Sequence, residues 1–330
     1  MQSTQAVISL EKIISNAEAV TRAAGKPIIA VVKDDAYGHG AVKVAHALAK
    51  SVSAFAVATA AEGAELRIGG IDGEILVLSP AVTREEAERI AAYGLTASVT
   101  SFSALHLLAC TGVQRAHLAV NTGMNRYGVR PELVSHACRE ALKAGLSLEG
   151  VYSHLYAPEL DADTHAQKEL FSAACDAVRI YFPAASRHLS ATGGLLAGDG
   201  FDLVRAGISL YGYLPDGFEN AIALQPAMRL YGYVSHACTP VGDGAGYGRA
   251  TARYRSLRTV RAGYGDGLFR AGLKGGVGTL CMDATIMRGR GHFGRKKLLV
   301  SDFQTYARER GVSVYEALLR AGSGADKRYE

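Results

Sequence analysis

The chain has 330 residues, 48% apolar and 20% charged, with a formal net charge of +5. That length can bury a large core and suggests two domains or one large one, while no apolar run approaches the roughly 18 residues of a membrane span. The positive charge is mild and dispersed, which argues against nucleic acid as the main partner and leaves small anionic ligands open.

The opening "MQSTQAVISLEKIISN" has neither a basic start nor a long apolar segment, so no secretory signal is expected and the cytoplasm is the expected location. Cys110, Cys138, Cys175, Cys238 and Cys281 are scattered without a C-x-x-C pair. Neither a zinc site nor a disulfide framework is indicated.

From residue 28 to about 213 a short apolar run, a polar or glycine break and a helical stretch alternate. The runs are "IIAVV", "SAFAVAT", "EILVLS", "LTASVT", "AHLAVNT", "LEGVYSHL", "RHLSAT" and "LVRAGISLYG", eight in all. Between them lie helices such as "TREEAERIAAYG", with Thr83 as N-cap and Glu86 three residues on, and "PELVSHACREALKAG", with Pro131 in its first turn and Gly145 past its end. Strands alternating with helices imply a parallel sheet covered on both faces, and eight units are the number that closes a (β/α)8 barrel of TIM type. A doubly wound open sheet is the alternative. After about residue 220 the texture changes: "QPAMRLYGYVSHACTPVGDG" and "TLCMDATIMRG" read as strands without intervening helices, followed by short late helices in "SDFQTYARERG" and "SVYEALLRAG". A second, smaller, mostly β domain is expected there.

In a β/α barrel, side chains at the C-terminal ends of strands point into a shared mouth where catalysis is found. Lys33 ends the first run, where its amine could act as nucleophile or base. The later runs supply Arg126, His154, Thr192 with Gly193 and Gly194, and Arg205 with Gly207 and Ile208. Singly these read as a solvated lysine, a surface arginine, a core histidine and a loop threonine. Together they offer an amine, an arginine and backbone N–H groups beside the hydroxyls of Thr192 and Tyr37, a set that could cradle a phosphate. Amine, phosphate cradle and arginine suggest pyridoxal 5'-phosphate (PLP).

The motifs "AVVKDDAYGHG", "NTGMNRYGV", "VYSHLYA", "FDLVRAGISLYGY", "GAGYGRA", "AGYGDGLFR", "GTLCMD" and "VYEALL", in this order along nearly the whole chain, resemble those of the alanine racemases, fold-type III PLP enzymes. The resemblance implies a PLP-binding barrel over residues 10–217 and a β domain over 218–330 that also takes a first strand near residues 3–9. It implies interconversion of L- and D-alanine, supplying D-alanine for cell-wall peptidoglycan, and a head-to-tail homodimer with shared active sites. Lys33 matches the Schiff-base lysine; Tyr37, Thr192, Gly207, Ile208 and Tyr315 match phosphate contacts, threonine standing where serine is usual. Arg205 matches the arginine facing the pyridine nitrogen and His154 its neighbour in the hydrogen-bond network. Tyr247 matches the second catalytic base, Arg126 a residue touching phenolic and substrate oxygens, Met282 and Asp283 the substrate-carboxylate region, and Tyr264 and Arg270 the substrate passage. A base on each side of the cofactor plane suits a reaction that removes a proton from Cα on one face and returns one on the other.

Two departures stand out. Ala119 occupies the position of the family's carbamylated lysine and Asn121 that of the family's nearby aspartate, so Asn121 or a bound chloride is expected to replace the negative brace on Arg126. The β domain also looks shortened between Arg270 and Met282. The stretch "GRGHFG" at 289–294 spells G-x-G-x-x-G, but "RKKLLV" after it reads as a strand, so the dinucleotide-binding context is missing. Rival readings are a racemase of serine or another small amino acid, and a non-catalytic PLP carrier; retention of Tyr247 speaks against the latter.

Overall fold

The computed structural model describes residues 4–196, 201–218, 221–249 and 252–330. In chain order the strands are β1 (Thr4–Ile8), β2 (Ile28–Val31), β3 (Ala54–Val57), β4 (Ile75–Val77), β5 (Ala97–Val99), β6 (Arg115–Ala119), β7 (Ser147–Tyr152), β8 (Ser186–His188), β9 (Val204–Ala206), β10 (Met228–Cys238), β11 (Gly244–Ala245), β12 (Gly248–Arg249), β13 (Leu257–Arg261), β14 (Thr285–Arg288), β15 (Lys296–Val300) and β16 (Ala325–Tyr329). The helices are α1 (Leu10–Ala24), α2 (Lys33–Gly38), α3 (Ala41–Leu48), α4 (Ala60–Ile68), α5 (Arg84–Ala92), α6 (Phe102–Ala109), α7 (Val134–Lys143), α8 (Asp161–Arg179), α9 (Thr192–Leu196), α10 (Phe303–Arg308) and α11 (Val314–Ser323).

Strands β2 to β9 form a (β/α)8 barrel. Two all-parallel runs, β4-β3-β2-β9 and β5-β6-β7-β8, are joined by parallel bridges at Leu76–Thr96 and Ala191–Arg205, which close the ring. The eight apolar runs of the sequence become these eight strands, and the open-sheet alternative falls away. Strands β2 and β3 are buried at every position, as expected where helices cover one face and the barrel core the other. Thr83 and Glu86 form a reciprocal capping box on α5, and Thr59 with Glu62 forms a second one on α4.

Contacts divide the chain into one compact unit of residues 13–36 and 41–224, which holds the barrel, and another of 1–12, 37–40 and 225–330. The division after the barrel thus falls at 224/225, later than the expected 217/218, and residues 37–40 group with the strand-rich unit. In that unit the sheet order is β14-β13-β10-β1-β16, with β15 also paired to β10. Strand β1 runs antiparallel to β10 and parallel to β16. "TLCMDATIMRG" is a strand only over Thr285–Arg288. Its first half instead turns beneath residues 263–265, where Gly265 N donates to Met282 O at 2.7 Å and Tyr264 N to Cys281 O at 3.1 Å. Residues 289–294 are a turn feeding β15, not a helix start. No described helix is long and apolar enough to cross a membrane.

Candidate active site

Strands β2 and β9 are neighbours in the barrel, with Ile29 in register with Arg205 and Ala30 with Ala206. Their C-terminal ends therefore deliver Lys33 and the Gly207–Ile208 pair side by side. The chain leaves Lys33 through a left-handed turn: Asp34, Asp35, Ala36 and Tyr37 have φ of 53°, 53°, 55° and 53°. L-residues in this region cost roughly 1–2 kcal/mol each, so something must hold them there. Glu62 Oε1 accepts from Asp34 N at 2.7 Å, Asp35 Oδ1 accepts from Ala41 N at 2.8 Å, and Ala36 N donates to Val32 O at 2.9 Å. Glu62 is the anchor: its Oε2 also takes Ala58 N at 2.6 Å and Thr59 N at 3.1 Å, tying the ends of β2 and β3 together.

Arg205 is 3% exposed. Its Nη1 donates to His188 Nδ1 and to His188 O, both at 2.7 Å; its Nη2 donates to Ser153 O at 2.6 Å, Leu189 O at 2.9 Å and His154 Nδ1 at 3.2 Å. Because guanidinium only donates, both imidazole Nδ1 atoms must be unprotonated acceptors. The His154 imidazole is held down at a pKa of about 3 by burial first, then by the positive charges of Arg205, Arg126 and Lys33. His188 is pushed well below the ordinary value by burial, Arg205 and His117. Lys33, Arg126, His154 and Arg205 thus share one electrostatic neighbourhood. Tyr152 packs under it, stacked on His188 at 5.2 Å and 8° and set 5.4 Å from the Arg205 guanidinium.

Thr192 Oγ1 lies 3.0 Å from Ser209 Oγ, both buried, which pins the first turn of α9 to the 3-10 helix Ile208–Tyr211. Gly194 in the same helix packs closely on Ser190 and Leu155: a Cβ there would lie 2.7 Å from Ser190 Oγ and 2.8 Å from a Leu155 methyl.

The strand-rich unit holds the remaining predicted residues. Tyr37 and Tyr315 rings lie 6.0 Å apart. Tyr247 sits at the tip of the β11–β12 hairpin, after Gly246 at φ +60°, and is 77% exposed. The Arg270 guanidinium lies 5.8 Å from the Tyr264 ring. Met282 and Asp283 lie against Gly263, where a Cβ would be 2.2 Å from Met282 O.

One expectation is corrected. Asn121 does not brace Arg126: its Oδ1 accepts from Gly123 N and Asn125 N, both at 3.1 Å, and its Nδ2 donates to Asn125 Oδ1 at 3.1 Å. An amide beside a tight turn is captured by the nearest backbone N–H groups. Arg126 is exposed, 5.8 Å from the Tyr127 ring.

A family model described as "Alanine racemase, N-terminal domain" matches residues 8–215. The chain belongs to the alanine racemase family. The alanine racemase of Cutibacterium acnes is 35% identical over 311 residues, spanning 85% of this chain and 82% of that protein. That of Geobacter sp. (strain M21) is 37% identical over 293 residues, with 78% and 76% covered. Among solved structures, alanine racemase from Clostridium difficile 630 superposes with a TM-score of 0.89 at 28% identity, covering all of this chain and 96% of the other. The alanine racemase from E. faecalis gives 0.89 at 27% identity, with 98% of it covered.

Sequence reasoning missed His117, His188, Tyr152, Ser209 and Glu62. A signal was present for the two histidines: "RAHLAV" and "SRHLS" put imidazoles on barrel strands, where branched apolar residues are the rule. The signal for Glu62, a glutamate three residues after a threonine, marked only a helix start.

Proposed function

We propose that this alanine racemase family member interconverts L- and D-alanine with PLP as its cofactor, supplying D-alanine for peptidoglycan in the cytoplasm. The observation that carries the reading is that adjacent strands β2 and β9 bring Lys33, two residues past the end of β2, into the electrostatic neighbourhood of Arg205 on β9, whose guanidinium is buried and donates to imidazoles and carbonyls. The residues present fit the cofactor. Lys33 has the amine that would carry it, Thr192 with the N–H groups of Gly207 and Ile208, joined by Tyr37 and Tyr315, would hold its phosphate, and Arg205 would face its ring nitrogen. Gly193 and Gly194 in the first turn of α9, where side chains would collide with Pro158 and Ser190, suit a backbone meant to approach an anion closely.

When bound, PLP would act as an electron sink that acidifies the Cα–H of the amino acid joined to it. The rest of the work falls to the chain. Lys33 Nζ is one base at substrate Cα, and Tyr247 of the partner subunit is the base on the opposite face, in a two-base exchange across a head-to-tail homodimer. The exposure of Tyr247 at a hairpin tip supports its donation to another chain. Arg205 donates without surrendering a proton, so a ring nitrogen held against it would remain unprotonated and the electron sink weak, which would disfavour transamination. His154, neutral, keeps its Nδ1 on Arg205. Arg126, Met282 and Asp283 take the substrate carboxylate, and Tyr264 and Arg270 line its approach. In this reading residues 10–217 form the cofactor-binding half and 218–330, with the first strand, the half that completes the partner's site.

The test is racemisation of L-alanine, L-serine and L-lysine followed by circular dichroism for wild type, Lys33→Ala and Tyr247→Phe. Lys33→Ala should lose the visible absorption that PLP gives the wild type. Tyr247→Phe should keep it and lose about 100-fold or more in turnover. Mixing the two inactive variants through a refolding cycle should restore activity at about one site in four, since a mixed C2 dimer has one intact shared site. No recovery in isolated mixed dimers rules out sharing, and preference for serine replaces the substrate.

A further inference from the structure

A line of side chains outside the assigned set crosses the barrel from Glu74, just before β4, to Arg205 on β9. Glu74 Oε1 lies 3.4 Å from His117 Nε2, His117 Nδ1 lies 2.9 Å from His188 Nε2, and His188 Nδ1 lies 2.7 Å from Arg205 Nη1. His117 is 2% exposed and His188 fully buried. The barrel makes room for the line: Gly150 on β7 sits between β6 and β8, and a Cβ there would be 2.7 Å from His117 Nδ1 and Cε1.

The direction of every bond is set by elimination. Arg205 can only donate, so His188 Nδ1 accepts and the proton of a neutral His188 is on Nε2. That N–H must then donate to His117 Nδ1, which places the His117 proton on Nε2, facing the Glu74 carboxylate 3.4 Å away at ion-pair distance. A doubly protonated His117 would reverse the middle bond and set a His188 Nδ1–H against an Arg205 N–H at 2.7 Å. The carboxyl of Glu74 is held below the usual carboxylate range chiefly by the neighbouring His117, as a negative group at the end of the line should be.

We propose that Glu74 and His117 are positioning residues for the reaction, fixing His188 as its Nε2–H tautomer so that its bare Nδ1 locks the Arg205 guanidinium in place. This rests on the proposed PLP chemistry only for its kinetic consequence; the tautomers can be read without turnover. Arg205 favours this arrangement from one end and the Glu74 charge from the other; removing the carboxylate withdraws the second constraint, so the His117 tautomer that sets donor against donor along the line becomes less unfavourable.

The experiment uses holoenzyme labelled with 15N-histidine and long-range 1H–15N correlation spectra, with His117→Phe assigning the resonances. Wild type should show His117 and His188 both as single Nε2–H tautomers. Glu74→Leu should broaden or split the His117 signals and lower kcat about 10-fold, as loss of an outer partner does elsewhere, with KM within about twofold. Glu74→Gln, which keeps an acceptor oxygen, should recover the single-tautomer pattern. An Nδ1–H or doubly protonated form of either histidine in wild type overturns the proposal, whether or not the variants fold. So does Glu74→Leu with wild-type spectra and kcat. Correct tautomers in a protein that does not racemise alanine would leave the line intact and remove the functional reading instead.

Discussion

Replacing Arg205 with lysine would normally count as conservative, and here it should not be. The guanidinium serves at least five acceptors: His188 Nδ1 and O, Ser153 O, Leu189 O and His154 Nδ1. An ammonium has three protons on one atom, and of these acceptors His188 O also receives Ser153 N at 3.3 Å, so at least one of the other four loses its donor in a site only 3% exposed. Each unsatisfied buried acceptor costs about 1–3 kcal/mol, so Arg205→Lys should destabilise the protein by about 1–3 kcal/mol or more. With a urea m-value of about 3 kcal/mol/M, the unfolding midpoint of cofactor-free protein at fixed concentration should fall by about 0.3–1 M or more. A midpoint unchanged within about 0.2 M would show that the carbonyls and imidazoles do not depend on the guanidinium, and the description of the site as built around Arg205 would be wrong.

Glu62→Ala removes the acceptor for Asp34 N, Ala58 N and Thr59 N; it should cost about 2–4 kcal/mol and weaken PLP binding, measured by absorbance titration, because the left-handed turn after Lys33 loses its anchor. Gly263→Ala should destabilise by about 1–3 kcal/mol through overpacking alone, since Gly263 has an extended φ of −142° that alanine adopts freely while its Cβ would meet Met282 O at 2.2 Å; thermal unfolding checks this, and an unchanged Tm refutes it. His154 titrates near 6.5 when unfolded and at about 3 when folded, so the unfolded chain binds more protons between these values. Its contribution is complete above pH 6.5 and lost as pH falls towards 3, and His188, also depressed, acts in the same sense. The His154 shift should remove about 2 kcal/mol of stability by pH 5. Urea unfolding from pH 7.5 to 5 should show this slope, reduced by the His154 share in His154→Gln; an identical slope in the variant contradicts the neutral-histidine assignment.

The barrel was legible because its signal is local and repeated. Every buried run from "IIAVV" to "LVRAGISLYG" became a strand, since a strand covered on both faces must be apolar throughout. The caps of α5 at Thr83 and Glu86 were legible for the same reason: both partners lie within four residues. "TLCMDATIMRG" misled because its first half is apolar for another purpose, packing a turn against Gly263. Asn121 misled because a nearby backbone N–H outcompeted a distant guanidinium.

Sequence alone determined the eight strands of the barrel, the strand-rich C-terminal region, and the kinds of groups set at strand ends: amine, arginine, hydroxyl, glycine N–H. Only the tertiary structure decided that Lys33 leaves its strand through a left-handed turn anchored by Glu62, and that His117 and His188, 71 residues apart, align behind Arg205. The physical reason is range. Burial patterns and caps are written over a few neighbouring residues, whereas the partner of a buried polar group is whichever donor or acceptor chain folding brings within 3 Å or so, and nothing in the local sequence records that meeting.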